Sequence, residues 1–183
     1  GRPRFYNSIY VIDDQGTIVE AADKLHLVPF GEYLPFEDVL ESWGVSNLVE
    51  MPGGFSAGAS RRPVALAGAP SFLPLICYEI IFADEIAVGD PAAGFILNVT
   101  NDAWYGDTPG PYQHLRMAEV TAVALGLPLI RAANTGISVI DDALGRERSG
   151  LSLGATGTIE AALPTETIAA RYRRYGTMLF WGL

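Results

Sequence analysis

An apolar run from Phe72 to Ile76 ends on Cys77, the only cysteine among 183 residues. A second run, Gly94 to Thr100, is apolar and β-branched and reads as a central strand of a covered sheet. The first run has the form of a buried strand that presents a nucleophile at its C-terminal tip, with an acid, Glu79, two positions on. Position alone describes equally well a small hydrophobe closing a core strand, because free cysteines are among the most buried residues. Both readings of Cys77 stay open on these residues.

The rest of the chain supplies many short elements. Asn7 to Ile12 and Thr17 to Ala21 flank the turn Asp13-Asp14-Gln15-Gly16 and predict a hairpin. Lys24 to Pro35 carries two prolines and a glycine without a period, which predicts a structured loop. Phe36 to Trp43 reads as a short helix, and Glu50 to Arg62 as Gly- and Ser-rich loop. Strands are expected at Val64–Ala67, Ser71–Cys77, Gly94–Thr100, Leu129–Ala132, Gly136–Asp141 and Thr158–Ala162, with a hairpin turn at Asp141–Gly145. Ile80 to Val88 suits a helix. Tyr112 to Leu125 places Leu115, Ala118, Ala122 and Leu125 on one face and Gln113, Arg116 and Glu119 away from it, a helix packed on a sheet. Strand pairs mixed with two or three covering helices make an α/β sandwich.

Length allows one domain that buries ~70% of its unfolded surface. With 49% hydrophobic residues the chain is not disordered, and 20 Gly and 12 Pro fit short elements joined by tight turns. The net charge of −9 and the absence of a basic stripe argue against a nucleic-acid partner. One cysteine excludes an internal disulfide and a metal site of the CxxC kind. No run of about 18 apolar residues spans a bilayer. Near the end, Arg171, Arg173, Arg174 and their tyrosines precede Met178 to Leu183, an order that a membrane interface favours and a terminal strand also permits.

Chemistry has few candidates. Lys24 is the only lysine beside eleven arginines. A compact ammonium suits a tetrahedral oxyanion better than a wide guanidinium does, although a chance surface lysine has the same sequence. Glu32 follows on a proline-bounded loop and could fix that ammonium, or be a solvated acid. Glu79 could support the cysteine or serve the dipole of a following helix. The loop Asn101-Asp102-Ala103-Trp104-Tyr105-Gly106 leaves a strand end, where functional residues concentrate; Trp104 would wall a pocket or cap the core. A Cys-His dyad could use His26 or His114, but His26 between Leu25 and Leu27 reads as a packing residue. No GxSxG elbow occurs.

Three motifs, Lys24-Leu25-His26-Leu27-Val28-Pro29-Phe30-Gly31-Glu32-Tyr33-Leu34-Pro35, Cys77-Tyr78-Glu79 and Asn101 to Gly106, together resemble the carbon–nitrogen hydrolase (nitrilase) superfamily and, within it, a membrane N-acyltransferase branch. The segment Pro128 to Ser138 is similar to that branch as well. The resemblance implies a four-layer αββα sandwich, incomplete at the N-terminus, over residues 1–175, with 176–183 opening a membrane segment. It implies a Glu-Lys-Cys catalytic set: Cys77 as nucleophile, Lys24 with the Tyr78 N–H as oxyanion partners, and Glu32 as the second functional glutamate. Tyr78 and Glu79 support the nucleophile, and Asn101 and Trp104 lie toward the substrate.

The implied partners are a phospholipid acyl donor, a diacylglyceryl-cysteine lipoprotein acceptor and the membrane, with no cofactor and no metal, on the periplasmic face of a bacterial inner membrane. The family's general-base glutamate lies upstream of the strand that opens this chain, so the chain alone is expected to be inactive. Thr121 and Ala124 stand where relatives usually carry Arg and Glu, which removes one local ion pair. A soluble amidase or nitrilase of the same superfamily, and a non-catalytic domain in which Cys77 only packs, are the competing readings.

Overall fold

The computed structural model describes residues 3–36, 54–87 and 93–181. The chain divides into two compact units, residues 1–61 and 62–183. The expected helix from Phe36 to Trp43 falls almost wholly outside the described residues, as does the first part of the expected loop from Glu50; its described part, 54–62, has no regular element.

In the first unit, β1 (Ser8–Ile12) and β2 (Ile18–Asp23) form the expected antiparallel hairpin, from Ser8 opposite Asp23 to Ile12 opposite Ile18. Its turn closes because Asp13 Oδ1 accepts the N–H groups of Gln15 (2.9 Å) and Thr17 (2.8 Å), while Gly16 supplies a φ of 81°. The chain leaves β2 directly into Lys24, whose N–H donates to Asn7 O at 2.8 Å and so extends the hairpin by one bond.

The second unit is built on a six-stranded sheet, in spatial order β3 (Val64–Leu66), β4 (Ala69–Ile76), β5 (Phe95–Asn101), β6 (Leu129–Asn134), β7 (Ser138–Asp141) and β8 (Glu147–Leu151). β4, β5 and β6 are parallel to one another, and the outer pairs are antiparallel. The unalternating apolar runs are therefore the central strands, as their composition requires. Pro74 is tolerated in β4 because it lies beyond Phe72, the last residue that pairs with β3, so a missing N–H on that side breaks no ladder bond.

Short helices α1 (Ala83–Ala87), α3 (Arg171–Tyr175) and α4 (Met178–Trp181) accompany the long α2 (Gly110–Leu125). Cross-strand register explains how α2 sits on the sheet. Leu73, Ile96 and Leu129 form one row, continued by Asp141; Leu75, Asn98, Arg131 and Val139 form the next. Ala118, Ala122 and Leu125 of α2 join Leu73, Leu75, Ile96, Leu129 and Val139 in one buried cluster. The helix ends at Gly126, in the left-handed region at φ 67°, where a Cβ would strike the Ile168 carbonyl.

Three expectations change. The expected helix from Ile80 is a 3-10 turn over Cys77–Ile81 followed by the short α1, and Val88 lies outside the described residues. The last strand is β8, not Thr158–Ala162, a stretch with no regular structure. The turn after Asp141 does form: Asp142 accepts from the N–H groups of Leu144 and Arg146 and from the side chains of Arg146 and Arg148, so the partner strand follows at once. On α2 the buried face also takes in His114 and Thr121, while Leu115 is only partly buried.

Candidate active site

Lys24 is 1% exposed, and its Nζ donates to Glu32 Oε2 at 2.7 Å. The intervening loop turns back on itself. Glu32 and Gly31 donate their N–H groups to Val28 O, Phe30 donates to Tyr33 O, and Phe30 itself adopts φ 62°. That turn returns Glu32 to the start of its own loop, where Oε2 also accepts from Val28 N (2.8 Å) and Oε1 from Asn7 Nδ2 (3.2 Å). Glu32 is thus anchored as well as paired, and the Lys24 ammonium has a fixed carboxylate beside it. A solvated acid and a chance surface lysine are both ruled out.

Cys77 follows the last residue of β4 and has φ 55°, a region that costs a side-chain-bearing residue about 1–2 kcal/mol. The strand breaks out of the sheet there, and two buried side chains take over the hydrogen bonds. Glu79, 2% exposed, accepts the Ile76 N–H at 2.8 Å. Asn98, fully buried on β5, donates Nδ2 to Leu75 O (3.0 Å) and to Cys77 O (3.1 Å). Glu79 is therefore a buried brace just before the cysteine. Tyr78 is partly buried and meets Phe82 edge to face, ring centroids 5.0 Å apart.

Behind Asn98 runs a buried polar chain that sequence reasoning did not find. Arg131 Nη1 donates to Asn98 Oδ1, and Arg131 Nη2 donates to Asp102 Oδ2 at 2.8 Å. Asp102 Oδ1 accepts from Thr100 Oγ1 at 3.1 Å and faces His114 Nδ1 at 2.9 Å. Burial alone would raise the Asp102 pKa, but the His114 hydrogen bond and the Arg131 charge outweigh it and hold the carboxyl below its usual value. Burial lowers the Arg131 pKa, against the opposing pull of Asp102. His114 is thus committed to Asp102, and no hydrogen bond joins it to Cys77 among the described residues; His26 is partly buried, as its apolar flanks suggest. The available signal was polar residues inside otherwise apolar strands, Asn98 within Phe95–Asn101 and Arg131 within Leu129–Asn134.

The loop after β5 is a 3-10 turn, Asp102–Tyr105, capped by Asn101, whose Oδ1 accepts from Ala103 N (3.2 Å) and Asn134 Nδ2 (3.0 Å). Trp104 is 69% exposed, which removes the reading of a core cap. Lys24 and Glu32 meet in the first unit; Cys77, Tyr78, Glu79, Asn101 and Trp104 belong to the second.

The fold is mixed α/β, with a cysteine held at the tip of a parallel strand. The chain belongs to the carbon-nitrogen hydrolase family, whose model matches residues 1–173. Its curated relatives include the apolipoprotein N-acyltransferase of Brucella melitensis biotype 1, 61% identical over 165 residues, which is 90% of this chain and 31% of the relative. Another is the apolipoprotein N-acyltransferase of Allorhizobium ampelinum, 52% identical over 181 residues, 99% of this chain and 34% of that protein. The chain spans about a third of the length of these relatives. Among solved structures it is similar to the NitN amidase of Nesterenkonia sp. AN1, with TM-score 0.57 and 19% identity over 96% of this chain and 62% of that one. A second amidase structure from Nesterenkonia sp. matches at TM-score 0.56 and 21% identity, covering 80% and 51%. At that identity the likeness concerns the fold.

Proposed function

We propose that this chain forms the catalytic part of an apolipoprotein N-acyltransferase. The observation that carries the reading is Cys77 at φ 55° on the tip of β4, its flanking backbone groups held by Glu79 and Asn98. A cysteine that merely packs needs no such backbone, and identity of 61% and 52% to proteins of that name supports the acyltransferase branch over the amidases.

In this reading Cys77 Sγ attacks the ester carbonyl of a phospholipid. A C–S bond forms, the ester C–O bond breaks, and the thiol proton ends on the departing lysophospholipid oxygen. The Lys24 ammonium and the Tyr78 N–H stabilise the oxyanion. Glu32 holds the Lys24 ammonium in place. The α-amine of a diacylglyceryl-cysteine lipoprotein then attacks the thioester, loses a proton and restores the thiol. Trp104 offers an exposed apolar surface to the acyl chain, and Asn101 shapes the loop that carries it.

The reading brings with it the four-layer αββα arrangement, a hydrolase-type domain over residues 1–175 and the start of a membrane segment at 176–183. It places the domain on the periplasmic side of the inner membrane and calls for no cofactor. No helix among the described residues is long and apolar enough to cross a membrane.

The test uses the complete protein in detergent or vesicles. Transfer of palmitate from phosphatidylethanolamine to a lipopeptide, without ammonia release from small amides, is expected. Ammonia release without acyl transfer would make it an amidase instead.

A further inference from the structure

We propose that Asn98 and Arg131 are positioning residues for Cys77: the Asn98 amide replaces the sheet hydrogen bonds that the cysteine gives up, and Arg131 orients that amide. The inference rests on the reading of Cys77 as a nucleophile.

Register brings the residues together. Leu75, Asn98 and Arg131 lie directly opposite one another across β4, β5 and β6. Their side chains share the face covered by α2, where the neighbouring row is apolar across the same three strands, at Leu73, Ile96 and Leu129. An amide and a guanidinium in such a core cost free energy unless fully engaged. Asn98 engages both ends: its two N–H bonds go to Leu75 O and Cys77 O, and its oxygen takes Arg131 Nη1. Arg131 decides which way the amide points. A flipped Asn98 would set its NH2 against the guanidinium and its oxygen against two carbonyls, so only one orientation is stable.

The guanidinium is fixed in turn. Nη2 is held by Asp102, and Asp102 is held by Thr100 and His114. Gly136 leaves room for this: a Cβ there would fall on Asp102 Oδ2. Tyr105, from the same 3-10 turn as Asp102, lies over His114 with ring centroids 5.6 Å apart. The burial of Asn98, Arg131, Asp102 and His114 makes the chain rigid, each 1% exposed or less. It reaches the candidate nucleophile through hydrogen bonds to the carbonyls of Leu75 and Cys77.

A structural role alone would lower stability and leave the chemistry of the folded fraction unchanged. A positioning role lowers turnover in fully folded protein. The experiment compares wild type, Asn98→Asp, Asn98→Ser and Arg131→Lys in the complete protein. Readouts are acyl transfer with phosphatidylethanolamine and lipopeptide, the rate and pH profile of iodoacetamide alkylation at Cys77, and thermal unfolding. Asn98→Asp keeps the shape and the contact with Arg131 but loses both donors; Asn98→Ser covers the case in which the aspartate does not fold.

We expect kcat to fall at least ~10-fold in a folded Asn98 variant with KM for phospholipid unchanged, as misplacement of a reacting group does, and the alkylation profile to move with it. Arg131→Lys lowers kcat too, and adding it to Asn98→Ser costs little more, because the arginine acts through the amide. Wild-type kcat and alkylation profile in folded Asn98 variants would overturn the proposal, as would fully additive losses in the double variant. Failure of the nucleophile reading is seen separately: Cys77→Ala would then retain acyl transfer.

Discussion

Lys24 Nζ and Glu32 Oε2 stand 2.7 Å apart, with the ammonium buried and the carboxylate tied to Val28 N and Asn7 Nδ2 as well. Removing one partner of a buried pair costs more than the pair itself contributes, because the remaining buried charge loses a share of its compensation. Glu32→Gln is therefore expected to destabilise by about 3 kcal/mol and to reduce acyl transfer. Lys24→Met is expected to be milder in stability and to abolish transfer. Urea unfolding of both variants beside the transfer assay checks the contrast; equal activity in Lys24→Met and wild type would remove Lys24 from the chemistry.

Glu79 accepts the Ile76 N–H from a fully enclosed position. Glu79→Ala leaves that donor unpaired at the end of β4, a loss of about 1–3 kcal/mol. Glu79→Gln keeps an acceptor oxygen and is expected to lose less. The comparison of urea midpoints at constant m-value decides it.

Asp141 continues the apolar row beneath α2, with neither carboxylate oxygen bonded among the described residues. Burial first, then the charges of Glu119, Glu147 and Asp142, push its pKa up from 3.8 to about 6. The folded chain then holds a proton that the unfolded chain releases near pH 4. Stability is expected to fall as pH rises from about 4 through about 6, by at most about 3 kcal/mol. Asp141→Asn removes that slope and is expected to be the more stable protein at pH 7. Unfolding midpoints of both proteins between pH 4 and pH 8 measure it, and parallel curves would show that Asp141 is solvated.

Gly126 ends α2 at φ 67° with the Ile168 carbonyl where a Cβ would go. Gly126→Ala combines a strained backbone with that collision, and a loss of about 2 kcal/mol is expected. A thermal midpoint unchanged from wild type would mean that the 168–170 segment simply moves aside.

These residues also show what the sequence could and could not disclose. The central strands were legible because β4 and β5 are apolar without alternation, and α2 because Ala118, Ala122 and Leu125 recur at helical spacing. The pairing of Lys24 with Glu32 was legible as a loop bounded by prolines. β8 was not: Glu147-Arg148-Ser149-Gly150-Leu151 has little β-propensity and becomes a strand only because the Asp142 turn lays it against β7. The Asn98–Arg131–Asp102–His114 chain was hard to read for a different reason: Asn98 and Arg131 stand out as polar residues in apolar strands, but their partners do not. Its members lie on two strands, a 3-10 turn and a helix, and cross-strand register together with the packing of α2 brings them together.

Cys77 is the proposed acyl carrier, and one measurement addresses that role directly. The complete protein is incubated with phosphatidylethanolamine carrying a labelled palmitoyl chain and no acceptor, then digested and mapped. The expected result is label on the peptide containing Cys77, released by neutral hydroxylamine as a thioester and absent from Cys77→Ala. Label on any other residue, or undiminished transfer to a lipopeptide by Cys77→Ala, would contradict it.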